Sequence, residues 1–326
     1  MTSARRDGSS ADRHPEAGFS LVEVLAALVI LAIAMTAVFA TFVSQQKSFT
    51  VQSRVAEMQQ NLRQAVEYIS RDIRMAGYGI PDNVVIPNNI IATGVTSIRS
   101  LYPKDNTTGP DQIYILCFFD MDDNQRSTWN TATMASGAGT VTVDNTDGFL
   151  PTGGELVIVT DWVKAQLFQT VSKTATALTF GGTIYPGFAN SAYGPGSPPP
   201  APSTVAKARF NRYFIDSTTD PAHPTLMVDR MGGLAAQPVA DDIEDMQLTY
   251  GLDTGGDGNV DTWTSSPANP SQIRQVRLQF IARTRLPEAG WAETRPALGN
   301  HPGGGTADGY RRRIYDIVID VRNSGV

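Results

Sequence analysis

Three carboxylates recur every fourth residue in Asp253-Thr-Gly-Gly-Asp-Gly-Asn-Val-Asp261. Asp253, Asp257 and Asp261 fall where the first, fifth and ninth ligands of a calcium loop stand, and Gly258 fills its sharp-turn position. Asn259 would add a backbone carbonyl. Hard oxygen donors in that order suit Ca2+, the one cofactor the sequence suggests, which would pin the 252–270 loop. Two positions depart from the pattern. Gly255 has no side-chain oxygen, and Thr264 stands where a bidentate Glu would close the shell. The flanks also read as strands, not paired helices. The rival reading is an Asp/Gly-rich hairpin turn without metal, and the sequence leaves both open. Asp120, Asp122, Asp123 and Asn124 form a second acidic group; lacking a turn glycine, it reads as a solvated loop.

Glu23 is a different kind of outlier. It lies in Gly18-Phe19-Ser-Leu-Val-Glu-Val-Leu25, at the mouth of a stretch from Val24 to Gln46 that holds no charged side chain. As a helix rising about 1.5 Å per residue, that stretch can cross a hydrocarbon core of about 30 Å. A carboxylate near the end of such a helix costs about 2–3 kcal/mol or more and usually marks function. Residues 1–18 are polar and precede the apolar run, the reverse of a secretory signal. Cleavage between the two would therefore leave the apolar helix in the mature protein.

Catalytic constellations are absent from the sequence. His223 and His301 are the histidines beyond the leader, and there is no G-x-S-x-G, P-loop or G-x-G-x-x-G. No enzymatic activity is expected. A net charge of −6 gives no general attraction to nucleic acid. Arg311-Arg-Arg313 beside Asp316 and Asp320 reads as a solvated strand end. Cys117 is the single cysteine, so no internal disulfide can form; in Gln112-Ile-Tyr-Ile-Leu-Cys-Phe-Phe119 it reads as a small buried hydrophobe.

Behind these residues stand two kinds of element. Val51, Val55, Met58, Leu62, Ala65, Val66, Ile69, Ile73 and Ala76 recur at spacings of three and four, so one helix continues to about residue 76, where Gly77, Gly79 and Pro81 stop it. Its stripe predicts the face on which a sheet packs. Beyond Pro81, strands are expected at 84–93, 111–119, 139–144, 154–160, 164–171, 176–180, 207–216, 225–229, 243–251, 272–284 and 312–322. The fold class is α+β: a long N-terminal helix on a mainly antiparallel sheet. Residues 126–205 are read as an inserted β subdomain ending in the Pro-rich linker 195–202; a longer continuous sheet is the alternative.

Gly18-Phe19-Ser-Leu-Val-Glu23 resembles the class III signal of type IV prepilins and type II secretion pseudopilins. Arg71-Asp-Ile-Arg-Met-Ala-Gly-Tyr78 is similar to the helix end of PilW-type minor pilins, and the Arg322-Asn323 ending to their C-terminus. The resemblance implies a leader 1–18 cut after Gly18 by a prepilin peptidase, which then methylates Phe19. It implies a helix 19–78, with 19–46 spanning and polymerising and 47–78 amphipathic, and a periplasmic head 79–326. Glu23 would pair with the Phe19 amine of a neighbouring subunit and set axial register. The expected role is a minor pilin at the bacterial inner membrane, entering a pilus or its tip with other minor pilins, the major pilin and the inner-membrane assembly platform. A minor pseudopilin of a type II secretion system is the alternative.

Overall fold

A single helix, α1 (Leu21–Met75), carries the N-terminal part of the chain. The computed structural model describes residues 19–80, 84–85, 97–98, 100–118, 128–129, 137–160, 165–182, 204–231 and 235–323. The leader with Gly18, the acidic group at 120–124 and the Pro-rich stretch at 195–202 lie outside the described residues. Ser20 caps α1. Its hydroxyl accepts from the Val22 amide at 3.2 Å, and its carbonyl accepts from the amides of Glu23 and Val24 at 3.0 and 3.1 Å.

Contacts divide the chain into two units, with the boundary between Ser53 and Arg54. In the first, every described residue up to Thr50 is exposed, and α1 there is long and apolar enough to cross a membrane. Its threonines are satisfied within the helix: the hydroxyls of Thr36, Thr41 and Thr50 donate to the carbonyls of Ala32, Ala37 and Gln46 at 2.8–3.0 Å. Such back-bonding lets a polar side chain sit in lipid without an orphaned donor.

The second unit holds the rest of α1 and the strands. These are β1 (Val84–Val85), β2 (Ser97–Ile98), β3 (Leu101–Lys104), β4 (Gln112–Phe118), β5 (Thr128–Trp129), β6 (Thr140–Thr142), β7 (Leu156–Thr160), β8 (Ala165–Lys173) and β9 (Ala177–Phe180). There follow β10 (Thr204–Asp216), β11 (Thr225–Asp229), β12 (Gln237–Ala240), β13 (Ile243–Leu252), β14 (Thr262–Thr264), β15 (Ile273–Arg283), β16 (Glu293–Arg295), β17 (Gly304–Asp308) and β18 (Arg312–Asp320). The fold is α+β as expected, and the pairing is antiparallel throughout except where β1 runs parallel to β8.

The apolar stripe buries the side chains its spacing points to. Met58, Leu62, Ala65, Val66, Ile69 and Ile73 meet Met246, Leu248 and Tyr250 of β13, Val276, Leu278 and Phe280 of β15, and Ile319 of β18 in one core. Each large aliphatic buried here contributes about 1.5–3 kcal/mol relative to exposure. The floor of that core is a four-stranded sheet in the order β14-β13-β15-β18. Ile113, Ile115 and Tyr213, from β4 and β10, belong to the same core.

β10 organises the larger sheet, whose main order is β12-β11-β10-β7-β8-β1-β2. Its first residues pair with β7, from Thr204↔Thr160 to Lys207↔Val157, and its last with β11, from Arg212↔Asp229 to Asp216↔Thr225. The segment from β6 to β9 has a core of its own around Val141, Phe149, Val159, Phe168 and Phe180, with Phe168 and Phe180 stacked at 4.4 Å. It is also joined edge to edge with the head sheet through β7 and β10. Cys117 is buried in β4, as expected of a small hydrophobe there.

Candidate functional site

Phe19 and Glu23 stand one helical turn apart. Phe19 is 83 % exposed, and both residues line one shallow apolar depression with Val24, Ala27, Leu28 and Leu31. The Ser20 cap fixes where the helix begins, and so holds Glu23 in its first turn. A carboxylate there is favoured by the positive end of the helix dipole. It also leaves the acid available to a cation supplied from outside the chain.

At the other end, α1 stops where its backbone turns left-handed. Gly77 has φ +77°, and a Cβ there would lie 2.9 Å from the Ser100 Cβ and 3.0 Å from the Asn323 carbonyl oxygen. Gly79, at φ +67°, sits against the Phe118 ring, where a Cβ would fall 2.1 Å from a ring carbon. The Asn323 side-chain amide donates to the free carbonyls of Arg74 and Ala76 at 3.5 and 3.4 Å. The last described residue therefore caps the helix that opens the chain.

One turn before that cap, Asp72 is buried on the apolar face. Its carboxylate accepts from the Asn211 amide and the Tyr213 hydroxyl, both at 2.6 Å, with the Arg209 guanidinium 3.6 Å away. Burial, and then the charge of Asp72, push the Tyr213 phenol well above its usual range, so it stays a hydrogen-bond donor. Sequence reading did not single out Asp72. The available signal was its place three residues after Ile69, a charge within the apolar stripe.

The Asp253–Asp261 loop is a turn held by its own amides. Asp253 is buried and accepts from the backbone N–H of Gly256, Asp257 and Gly258 at 2.6–3.1 Å, and Arg274 lies 3.0 Å from its carboxylate. Burial works against its charge, but these amides and Arg274 outweigh it and hold the carboxyl below its usual range. Asp261 turns to Thr254 and Gly255, accepting from their amides at 2.7 and 2.9 Å and from the Thr254 hydroxyl at 2.8 Å. Asp257 accepts from the amide of Asn259. Among the described residues, no group of three or more His, Cys, Asp or Glu side chains could hold a metal ion. In this arrangement a guanidinium and backbone amides share the oxygens of Asp253, and backbone amides and a hydroxyl those of Asp261. Asp253→Ala is expected to lower the melting temperature of the detergent-solubilised chain by several degrees. Adding about 1 mM calcium, the range of extracellular calcium modules, is expected to leave it unchanged. Calorimetric heat on adding calcium would restore the ligand reading of these residues.

Two arginines of the basic run near the C-terminus are engaged within the head. Arg311 pairs with Glu288 at 2.5 Å, and Arg312 with Glu244 at 2.6 Å and Asp308 at 2.7 Å.

Asp111 ties the turn before β4 to β13. It is 1 % exposed and accepts from the amides of Asn106 and Leu248 at 2.7 and 2.8 Å. Burial pushes its carboxyl up to about 7, against those two amides and with help from Asp105 and Asp245. Because the folded value lies above the ordinary 3.8, this group stabilises the fold most below about pH 4, and that contribution is lost as pH rises through 7. Asp111→Asn is expected to flatten the stability profile between these limits, as read from urea midpoints across the range. An unchanged slope would place the titration elsewhere.

Comparison with known families locates both ends of the chain. The family model described as Type IV Pilus-assembly protein W matches residues 212–323, from within β10 to the Asn323 cap. The Prokaryotic N-terminal methylation motif matches residues 13–39, a span that includes Gly18, Phe19 and Glu23. Among solved structures, a type IV-like pilin from Thermus thermophilus matches at 11 % identity with a TM-score of 0.39, covering 82 % of this chain and 98 % of that one. No curated protein matches.

Proposed function

We propose that this type IV pilin-like chain, anchored by an apolar helix that carries a prepilin methylation motif, is a minor pilin that is cut after Gly18, methylated on Phe19 and built into a pilus or its tip. The observation that carries the reading is the place of Glu23 in the first turn of α1, beside Phe19 in one apolar depression. Cleavage would create a cationic amine at Phe19, one turn from an acid that has no partner cation in its own helix. In lipid, where the dielectric is low, opposite charges on neighbouring subunits attract strongly, and pairing offsets the burial of both. The role is structural rather than catalytic, with the head in the periplasm while the helix is membrane-held. Its partners would be the prepilin peptidase, the major and other minor pilins and the inner-membrane platform. The match over residues 212–323 favours the pilus over a type II secretion pseudopilus.

Mass spectrometry of the protein purified from cells tests this directly. The mature chain is expected to begin at N-methylated Phe19. Recovery of Met1 would overturn the proposal, and a deletion strain that keeps its pili but loses protein secretion would move the chain to the secretion system.

A further inference from the structure

We propose that the outer edge of β18 docks an extended strand of another polypeptide, basic at its N-terminal end and acidic at its C-terminal end. β18 is the last strand of the four-stranded sheet and pairs with β15 alone. The Thr284 amide donates to the Arg311 carbonyl, and the Val321 amide to the Arg274 carbonyl. Odd-numbered residues of β18 therefore turn their backbone groups to β15, and the register between the two strands is unbroken. By the alternation of an antiparallel ladder, Arg312, Ile314, Asp316, Val318 and Asp320 turn theirs outward. Among the described residues, no hydrogen bond satisfies those outward groups. The last four of the five residues are exposed, so the edge is within reach. Its amides and carbonyls recur about every 6.8 Å, the repeat of a second strand.

The other edges of the head are blunted, and this one is not. Among the described residues, the other strands that pair on one side only are two to five residues long, and β3 and β12 also carry Pro103 and Pro238. β18 has nine residues, no proline and no bulge. A long, unprotected edge is a template for strand addition.

The side chains define what the strand brings. On the outer face, Ile314 and Val318 are 48 % and 47 % exposed. On the face turned to α1, Tyr315 and Ile317 are only partly buried against the main core. A strand laid alongside would cover both rows. Charge sets its direction. Asp316 is neutralised by Arg277 at 2.5 Å. Asp320 accepts from the Gln275 side-chain amide at 2.8 Å, and among the described residues neither it nor Arg313 has an ion pair. An antiparallel partner with a cation opposite Asp320 and an anion opposite Arg313 pairs both. A second copy does not suit the edge. Two β18 strands paired antiparallel are related by a twofold axis normal to the sheet, which points their α1 helices in opposite directions. Chains anchored by α1 in one membrane do not meet in that way. Only that exclusion rests on the membrane-held helix.

Hydrogen–deuterium exchange of the full chain in detergent tests this, with the octapeptide Lys-Thr-Val-Thr-Thr-Thr-Val-Glu as the probe. Its residues stand in order opposite Asp320 to Arg313. At about 5 mM, the peptide is expected to slow exchange of the outward β18 amides at least about fivefold. The same peptide N-methylated at both valines lacks the donors that face the edge. Val318→Pro removes an outward donor and leaves the β15 ladder intact; continued protection of the Ile317 and Ile319 amides shows that this variant folds. Each is expected to abolish the slowing, and exchanging the charges at the two ends of the peptide to weaken it at least about threefold. Unchanged exchange with the peptide would overturn the proposal. So would equal slowing by the N-methylated or charge-exchanged peptide, or equal slowing in Val318→Pro. Slowing that grows with chain concentration in the absence of peptide would overturn it too, by giving the edge to a second copy.

Discussion

Asp72→Ala is expected to destabilise the head by about 3–5 kcal/mol, the cost of breaking a buried charged network from one side. The carboxylate is the acceptor for both Asn211 and Tyr213, and all three residues are buried. Its removal strands an amide and a phenol, and leaves Arg209 without the carboxylate it faces. Tyr213→Phe keeps the ring and loses a single donor, so it should cost only about 1 kcal/mol. Urea unfolding of the detergent-solubilised chain separates the two. Equal midpoints for Asp72→Ala and wild type would mean that apolar contacts alone hold α1 to β10.

Glu23→Ala is expected to leave processing intact and to cut incorporation into filaments by more than about tenfold. The acid is exposed, so stability should not change. What changes is the environment of the Phe19 amine on the neighbouring subunit, which would enter the lipid-buried interface uncompensated, on the energy scale of a one-sided buried pair. Glu23→Gln should resemble Glu23→Ala if charge matters, and resemble wild type if a hydrogen bond suffices. Immunoblots of sheared filaments against the membrane fraction read the difference. Normal incorporation of both variants would remove Glu23 from assembly.

Much of the fold could be read before the coordinates because its signals are local. The alternation of β13, β15 and β18 and the helical stripe from Val55 to Ala76 each lie within one element, and β11 runs from Thr225 to Asp229 as expected. β2, β3, β5, β12, β14, β16 and β17 were missed, and two of them have a plain physical reason. β3 contains Pro103 and β12 contains Pro238, and proline argues against a strand. Both are edge strands, pairing on one side only with β4 and β11 respectively, so the missing donor costs nothing. Phe19 and Glu23 are four residues apart at the start of one helix, so their juxtaposition is local. The Asp72 cluster was not, since its partners lie 139 and 141 residues away in sequence. The aspartate loop also has a partner that is distant in sequence. Its spacing suits a cation, but Arg274, which shares Asp253, comes from β15.

The Asn323 cap bears on how the protein is made. α1 is synthesised first, yet the side chains that cover its stripe come largely from β13, β15 and β18, and its last carbonyls wait for a residue three short of the chain end. Asn323 must therefore be made before the helix can close its carboxyl terminus. Until then its greasy side is bare, in a chain dominated by long-range contacts, which close slowly. A nascent chain of this kind is open to aggregation until Asn323 is in place, and a chain cut before Asn323 should yield aggregates and not a shortened native subunit.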